Sequence, residues 1–415
     1  MTKPATRAVR TGIENDQHHG AIVPPIHLST NYSFVGFNQK RQYDYGRSGN
    51  PTRDILAQAL AELEQGAGCV VTSSGMAAIN LVAQLLSPQD LLVIPHDCYG
   101  GSQRLFKALA DKGAFKLAIV DQNDEQALAV YLEQNPRLIW IESPSNPLLR
   151  VVDIEKISAS AKRVGALIAV DNTFLSPALQ QPIKLGADLV VHSTTKYING
   201  HSDVVGGAVI AQSPELLEQL QWWSNCLGLS GSSFDSYLTL RGLRTLVPRM
   251  TQHQANAEQI LQVLLSHPAV SEVYHPSLET HPGHEIARRQ QSGFGAMLSF
   301  ELEGVNEVKT FLESLNLFSL AESLGGVESL VCHPGTMTHA AMSQDAQLAA
   351  GIAPGLVRLS VGLEAAEDLI QDLTRALDLV SQSTGESHTA QLSSVTSSHS
   401  EQAQIKLNPA FSAFW

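Results

Sequence analysis

The segment ADLVVHSTTKYINGHSD, residues 187–203, sets a lysine, Lys196, directly after an apolar run that ends in hydroxyls. In an open α/β sheet, ligands bind just outside the carboxyl ends of the strands, which is where such a lysine stands. Its amine attacks a carbonyl carbon only once it has lost its proton, and desolvation pushes it that way. Ser193 and Thr195 beside it carry hydroxyls suited to an adjacent phosphate. A lysine after a strand is ordinarily a surface residue, so the weight comes from three other places. Asp171 closes the run Leu167–Val170, where a carboxylate can keep an aromatic ring nitrogen protonated, although it reads equally well as a turn aspartate. Gly75 follows Ser73-Ser74 and precedes a helix-like run from Met76, leaving room for an anion at a helix start, although many such turns bind nothing. Tyr99, in HDCYGG, offers a ring that could stack on a flat aromatic, or is simply a half-buried loop residue. Together they make an anion cradle, a stacking ring, an acid and an amine, each just beyond a different strand.

The strands that must position them are short β-branched apolar runs: Cys69–Thr72, Leu91–Pro95, Lys116–Val120, Leu138–Glu142, Leu167–Asp171, Leu189–His192 and Ala208–Ala211. Helix-like segments lie between them, at Met76–Leu86, Ser102–Lys112, Glu125–Gln134 and Ile154–Val164, the last with Asp153 as N-cap. Strand and helix in alternation predict a mostly parallel sheet covered on both faces. A longer helical pattern at Leu246–Leu265 opens a second unit, with further elements at Met297–Leu302, Phe311–Leu315, Leu356–Ser360 and Ala365–Val380. The expected division is an arm over 1–55, an α/β domain over 56–255, a smaller α+β domain over 256–384, and a flexible Ser-rich tail over 385–415. The arm, with Pro24-Pro25 and Gly49-Asn50-Pro51, shows little periodicity and reads as an extended stretch that must lie on something else. The tail regains apolar residues only at Leu407–Trp415, which reads as a frayed end.

At 415 residues the chain is long enough for two cores, and 43% hydrophobic against 16% charged residues makes it globular. A net charge of -13 with no basic patch argues against nucleic acid or anionic membrane as a partner. No apolar run approaches the roughly 20 residues of a membrane span and the start lacks a cleavage signal, so a cytoplasmic setting is expected. Cys69, Cys98, Cys226 and Cys332 are scattered and read as reduced thiols. His281, His284 and Glu285 sit around a Pro282-Gly283 turn without metal-ligand spacing, so they read as solvated and no metal is expected.

Eight stretches carry a resemblance to a known family: YDYGRSGNPTRD (Tyr43–Asp54), SSGMAAI (Ser73–Ile79), HDCYGGSQRLF (His96–Phe106), ESPSNPLL (Glu142–Leu149), VDNTF (Val170–Phe174), HSTTKYINGHSD (His192–Asp203), LAESLGGVESL (Leu320–Leu330) and LVRLSVGLE (Leu356–Glu364). They resemble the transsulfuration enzymes that use pyridoxal 5'-phosphate (PLP), over about residues 6–380. The resemblance implies an aspartate-aminotransferase-like fold, PLP fold type I. It implies Lys196 as the Schiff-base lysine, Asp171 at the pyridine nitrogen and Tyr99 on the ring, with Tyr99 also a possible acid or base. Gly75, Met76, Ser193 and Thr195 would hold the phosphate. Tyr45 and Arg47 would reach the phosphate of a neighbouring subunit, which implies sites shared within a homotetramer, a dimer of dimers. Arg358 resembles the arginine that grips a substrate α-carboxylate, with Asn146 and Ser323 as its helpers.

Two features resemble some members more than others. Methionine γ-lyases carry a cysteine two residues after the stacking tyrosine and lack an acid at the position of Glu322, whereas here Gly100-Gly101 follow Tyr99 and the acid is present. Gln221–Met250 looks most like the bacterial cystathionine γ-synthase branch. That likeness implies amino-acid substrates and a γ-replacement, in which cysteine displaces the acyloxy group of O-succinyl-L-homoserine or another O-acylhomoserine to give L-cystathionine, a step of methionine biosynthesis. Arg104 and Arg47 are the candidate cations for the acyl carboxylate. The alternatives are a cystathionine γ-lyase, an O-acylhomoserine sulfhydrylase, or a catalytically silent nucleotide-binding or regulatory protein on the same scaffold. Against the last, no GxGxxG or GxxxxGK[ST] loop is present.

Overall fold

A computed structural model describes residues 2–340, 342 and 344–382. The tail expected over 385–415, with Leu407–Trp415 in it, lies outside the described residues. The larger sheet contains β1 (Gly68–Thr72), β2 (Leu91–Pro95), β3 (Lys116–Val120), β4 (Leu138–Glu142), β5 (Leu167–Asp171), β6 (Leu189–Ser193) and β7 (Gly207–Ala211), in the order β1-β7-β6-β5-β4-β2-β3. β7 runs antiparallel to both its neighbours and the other strands share one direction, so the sheet is mostly parallel as expected. β7 departs from the strand-helix alternation because the loop after β6 turns straight back, with no crossover helix.

Alternate residues of each central strand enter different cores, which is the two-residue period of a sheet covered on both sides. Leu138 and Trp140 of β4 pack with Phe106, Ala78 and Leu220 from helices on one face. Ile139 and Ile141 pack with Ile154, Ile157 and Ala161 on the other. Truncating one of these buried leucines or isoleucines to alanine costs about 2–5 kcal/mol, by lost transfer energy plus the cavity left behind. The helices start where capping chemistry dictates. Asp153 accepts from the Lys156 amide at 3.0 Å to open Ile154–Arg163, and Asn50 accepts from the Thr52 and Arg53 amides to open Pro51–Glu64.

The second sheet contains β8 (Glu272–Tyr274), β9 (Met297–Glu301), β10 (Ser319–Leu320), β11 (Leu330–Cys332) and β12 (Leu356–Ser360), in the order β10-β11-β12-β9-β8. The helix Leu246–Ser266 belongs to both cores. Its Leu246 and Met250 pack beside Tyr197 and Ile198, while Ala257, Ile260, Leu261 and Leu264 pack on β9 and β12. No loop therefore marks position 255.

Two sequence readings need correction. Pro4–Arg10 is a helix within the stretch read as an extended arm; it starts with proline at its first position and packs Ala8 against Leu56 and Leu60. Seven residues are too few for a helical period to show. His284, read as solvated, is buried, stacked on Phe294 at 5.7 Å and bonded to the Pro276 carbonyl at 2.9 Å.

Candidate active site

The carboxyl ends of β4, β5 and β6 face the loops that follow β10 and β11, and Arg358 on β12, across a cavity of about 590 Å³. Lys196 enters it from the loop joining β6 to β7. Its Nζ donates to Ser323 Oγ at 2.8 Å. Burial, then the positive charge of Arg358, lowers the Lys196 amine to about 8, with Glu322 pulling weakly the other way. A larger share of the amine is therefore neutral near pH 7 than in an exposed lysine. The second-sheet side comes very close here: a Cβ on Gly325, which sits at φ +74°, would lie 2.7 Å from the Tyr197 amide nitrogen. Only glycine combines that handedness with that approach. Ser323 itself holds φ +92°, a left-handed backbone rare outside glycine.

Arg358, on β12, is 3% exposed. Its Nη1 donates to Asn146 Oδ1 and its Nη2 to the Ser323 carbonyl, each at 2.9 Å, and its buried Nε has no partner. The guanidinium is thus braced from both sheets, with the Nε–H and the second hydrogens of Nη1 and Nη2 left to meet a ligand. Asp171 ends β5 with its carboxylate accepting the Thr173 amide at 3.0 Å. Burial raises its carboxyl, opposed by bonds from Thr173 and the nearby His192.

Gly75 and Met76 open the helix Gly75–Ala83, capped by Ser74 Oγ on the Ala77 amide. The Gly75 and Met76 amides have no partner among the described residues. A Cβ on Gly75 would lie 2.8 Å from Ser193 Cβ, so any larger residue would close the gap between the helix start and the β6 hydroxyl. Tyr99 is the half-exposed residue just before the next helix, its ring and the Met76 sulfur both lying against Gly101. Arg104 and Glu322 line the mouth, both exposed.

Twelve of the residues singled out from the sequence therefore line one cavity: Gly75, Met76, Tyr99, Arg104, Asn146, Asp171, Ser193, Thr195, Lys196, Glu322, Ser323 and Arg358. Tyr45 and Arg47 do not; Arg47 instead donates to the Asn225 side chain at 2.7 Å. The Thr195 hydroxyl donates to the Gly206 carbonyl at 3.2 Å, so it would have to turn to meet an anion. Sequence reading missed Glu142, Thr173 and the lining pair Met337 and Thr338. Glu142 and Thr173 lie inside the stretches ESPSNPLL and VDNTF, where a polar residue facing the strand ends was the available signal.

The donor set suits a flat phosphorylated aldehyde. Free amides at a helix start beside Ser193 accept an anion, a ring lies at Tyr99, an acid at Asp171, and a partly neutral amine at Lys196 meets an aldehyde carbon.

Residues 5–378 match the model of the Cys/Met metabolism PLP-dependent enzymes. The chain is 60% identical over 373 residues to cystathionine gamma-synthase of Escherichia coli (strain K12), covering 89% of this chain and 97% of that one. It is 47% identical over 378 residues to cystathionine beta-lyase of Lactococcus lactis subsp. cremoris (strain MG1363), covering 91% and 100%. Among solved structures, cystathionine gamma synthase from Xanthomonas oryzae pv. oryzae, in complex with aminoacrylate and cysteine, superposes with a TM-score of 0.91 at 61% identity over 92% of this chain and 99% of that one. The α/β architecture is that of PLP fold type I. By these matches and its own cavity, the chain belongs to the Cys/Met metabolism PLP-dependent enzyme family.

Proposed function

We propose that this PLP-dependent enzyme joins O-succinyl-L-homoserine, or another O-acylhomoserine, to L-cysteine, giving L-cystathionine and the free acyl acid. The observation that carries the reading is the junction of Lys196, Ser323 and Arg358, which sets a partly neutral amine beside a braced guanidinium in one cavity. The 60% identity to a cystathionine gamma-synthase favours replacement.

In this reading Lys196 would hold the cofactor, Asp171 would keep its ring nitrogen protonated, Tyr99 would stack on its ring, and Gly75, Met76, Ser193 and Thr195 would take its phosphate. PLP, when bound, draws away the electron pair left at Cα, so that a proton can leave that carbon. Arg358 presents two parallel donors to the α-carboxylate, and Asn146 and the Ser323 carbonyl keep its fork from rotating. Lys196 takes the proton from Cα and then one from Cβ, whose electron pair expels the group at Cγ, and returns a proton to each carbon once the thiolate has added, with Ser323 Oγ holding the amine in reach and Tyr99 as a second acid or base. At Cγ the C–O bond to the acyl group breaks, a C–S bond forms from cysteine thiolate, and the acyl carboxylate leaves. Arg104 at the mouth, unpaired among the described residues, offers the cation that such a carboxylate needs.

A homotetramer, as a dimer of dimers, belongs to the same reading. The arm exposes Ile22, Leu28, Phe34, Val35 and Phe37, the last fully, which suits a surface laid on a neighbouring copy with Tyr45 and Arg47 reaching that copy's phosphate. We retain the division at 55, 255 and 384 as the domain plan. Four free cysteines, with Cys69, Cys98 and Cys332 buried, suit a reducing, cytoplasmic setting. Among the described residues, no helix is long and apolar enough to cross a membrane.

The test is product formation from O-succinylhomoserine with and without cysteine, and from cystathionine alone. Cystathionine from the first mixture is expected. A keto acid and ammonia as the main products from cystathionine alone would favour a lyase, which the 47% identity to a cystathionine beta-lyase keeps as the second reading. Lys196→Ala should abolish turnover and the visible absorbance of the attached cofactor; turnover retained in that variant would overturn the assignment.

A further inference from the structure

Glu142 ends β4 and Asp171 ends β5, and the two are direct partners in the register of parallel strands. Both side chains line the cavity. Two carboxylates this close in a buried site repel, so ionising both is costly. The surroundings of the two are unequal. Asp171 receives the Thr173 amide and has the His192 imidazole nearby, itself bonded to Glu64 at 2.7 Å. Glu142 meets no cation among the groups that act on it most strongly. It faces Asp171 on β5 and Asp97 on the loop after β2, and the buried Cys98 thiol feels both Glu142 and Asp97. Lys196, Arg104, Glu322 and Arg358 line the same cavity but are not among those strongest influences.

The Glu142 carboxyl is nevertheless well used. Its Oε2 accepts the backbone amide of Tyr99 at 2.7 Å, and its Oε1 accepts Trp140 Nε1 at 3.1 Å. Trp140 is fully buried, so this end of Glu142 is anchored in the sheet core. The Oε2 end is anchored to the residue whose ring closes the site.

We propose that Glu142 is a positioning residue that ties the Tyr99 loop to the sheet while keeping its proton, so that the single negative charge of the carboxyl pair stays on Asp171. Burial first, then the Asp171 charge, raises the Glu142 carboxyl to about 8, outweighing the Tyr99 amide and Trp140 indole bonds, which by themselves favour the ionised form. A neutral acid at this position fixes the ring side of the pocket without competing with Asp171 for a protonated ring nitrogen. The inference rests on the PLP reading for the meaning of Asp171, but the protonation of Glu142 is a property of the chain itself.

The experiment is infrared spectroscopy of the full-length protein, with and without PLP, using chain labelled with carboxyl-13C glutamate or, separately, aspartate. At pH 7 a carboxylic-acid C=O band should shift on glutamate labelling, fade with a midpoint near pH 8, and be missing in Glu142→Gln. Among the described residues, Glu64 is the other buried glutamate, so the variant comparison is what assigns the band. If Glu142→Gln does not fold, Trp140→Phe discriminates, because it removes a donor from Glu142 and leaves Glu64 untouched; the band should move in that variant. No glutamate acid band at pH 7, or one unchanged by both substitutions, would overturn the proposal. The visible absorbance of the bound cofactor, read on the same samples, tests the PLP reading separately.

Discussion

Replacing Arg358 with alanine perturbs the site at its most constrained point. The guanidinium is 3% exposed and braced by Asn146 Oδ1 and the Ser323 carbonyl, so the wild-type fork enters the encounter with substrate already oriented. Its removal leaves the substrate carboxylate buried opposite a neutral methyl group. Truncating one partner of a buried, hydrogen-bonded charge pair costs about 2–5 kcal/mol. At about 1.4 kcal/mol per tenfold, the expected loss in kcat/KM for the O-acylhomoserine is roughly 30-fold to several thousandfold. Alanine also strands Asn146 and the Ser323 carbonyl, so a general loss of stability must be separated from a lost clamp. A cycle does this: wild type and Arg358→Ala are each assayed with O-succinylhomoserine and with its α-carboxamide. If the guanidinium grips the α-carboxylate, wild type should strongly prefer the acid and the variant should barely distinguish the two. A variant that keeps the wild-type preference, or loses less than about threefold in kcat/KM with the acid, would refute the reasoning.

Two further outcomes follow from the cavity. The Lys196 amine is lowered to about 8, so it loses its proton as pH rises through that value, and the rate at which PLP attaches to the apoprotein should climb through pH 7 and level off above about 8. Stopped-flow absorbance checks this; a rate still climbing toward the usual lysine value of about 10.4 would mean that the amine is not desolvated as described. Arg47→Ala should weaken PLP binding by about tenfold or more, the scale of a lost charged hydrogen bond, although Arg47 lies off the cavity of its own chain. Equilibrium dialysis measures it, and an unchanged affinity would remove Arg47 from a neighbour's site.

What could be read in advance follows from the range of the forces involved. β2, β4 and β5 keep the bounds read from their apolar runs, because a strand buried on both faces must be apolar along most of its length; β3 keeps its bounds at the sheet edge, where its Lys116 end is exposed. Helix ends were less sharp: Met76–Leu86 is Gly75–Ala83 in the fold, since Ser74 caps one residue early and the last turn frays into the loop after it. The residues at strand ends, Asp171, Ser193 and Lys196, inherit a location from the strands that carry them, so they were legible as a set. Arg358 and Ser323 were not. Lys196 meets Ser323 across 127 residues of chain, and Arg358 meets Asn146 across 212, contacts that no local period encodes. Only the resemblance named them. Glu142 escaped for the opposite reason: it closes an otherwise apolar strand, LIWIE, and a charged residue there marks a strand end whether or not it has work to do. Its register opposite Asp171 gives it a role, and register depends on which strands are neighbours. β4 and β5 are consecutive in the chain and joined by the helix Ile154–Arg163, so a right-handed crossover makes them adjacent. Two carboxylates ending consecutive parallel strands should therefore be read together, as a pair sharing charge, before either is assigned alone.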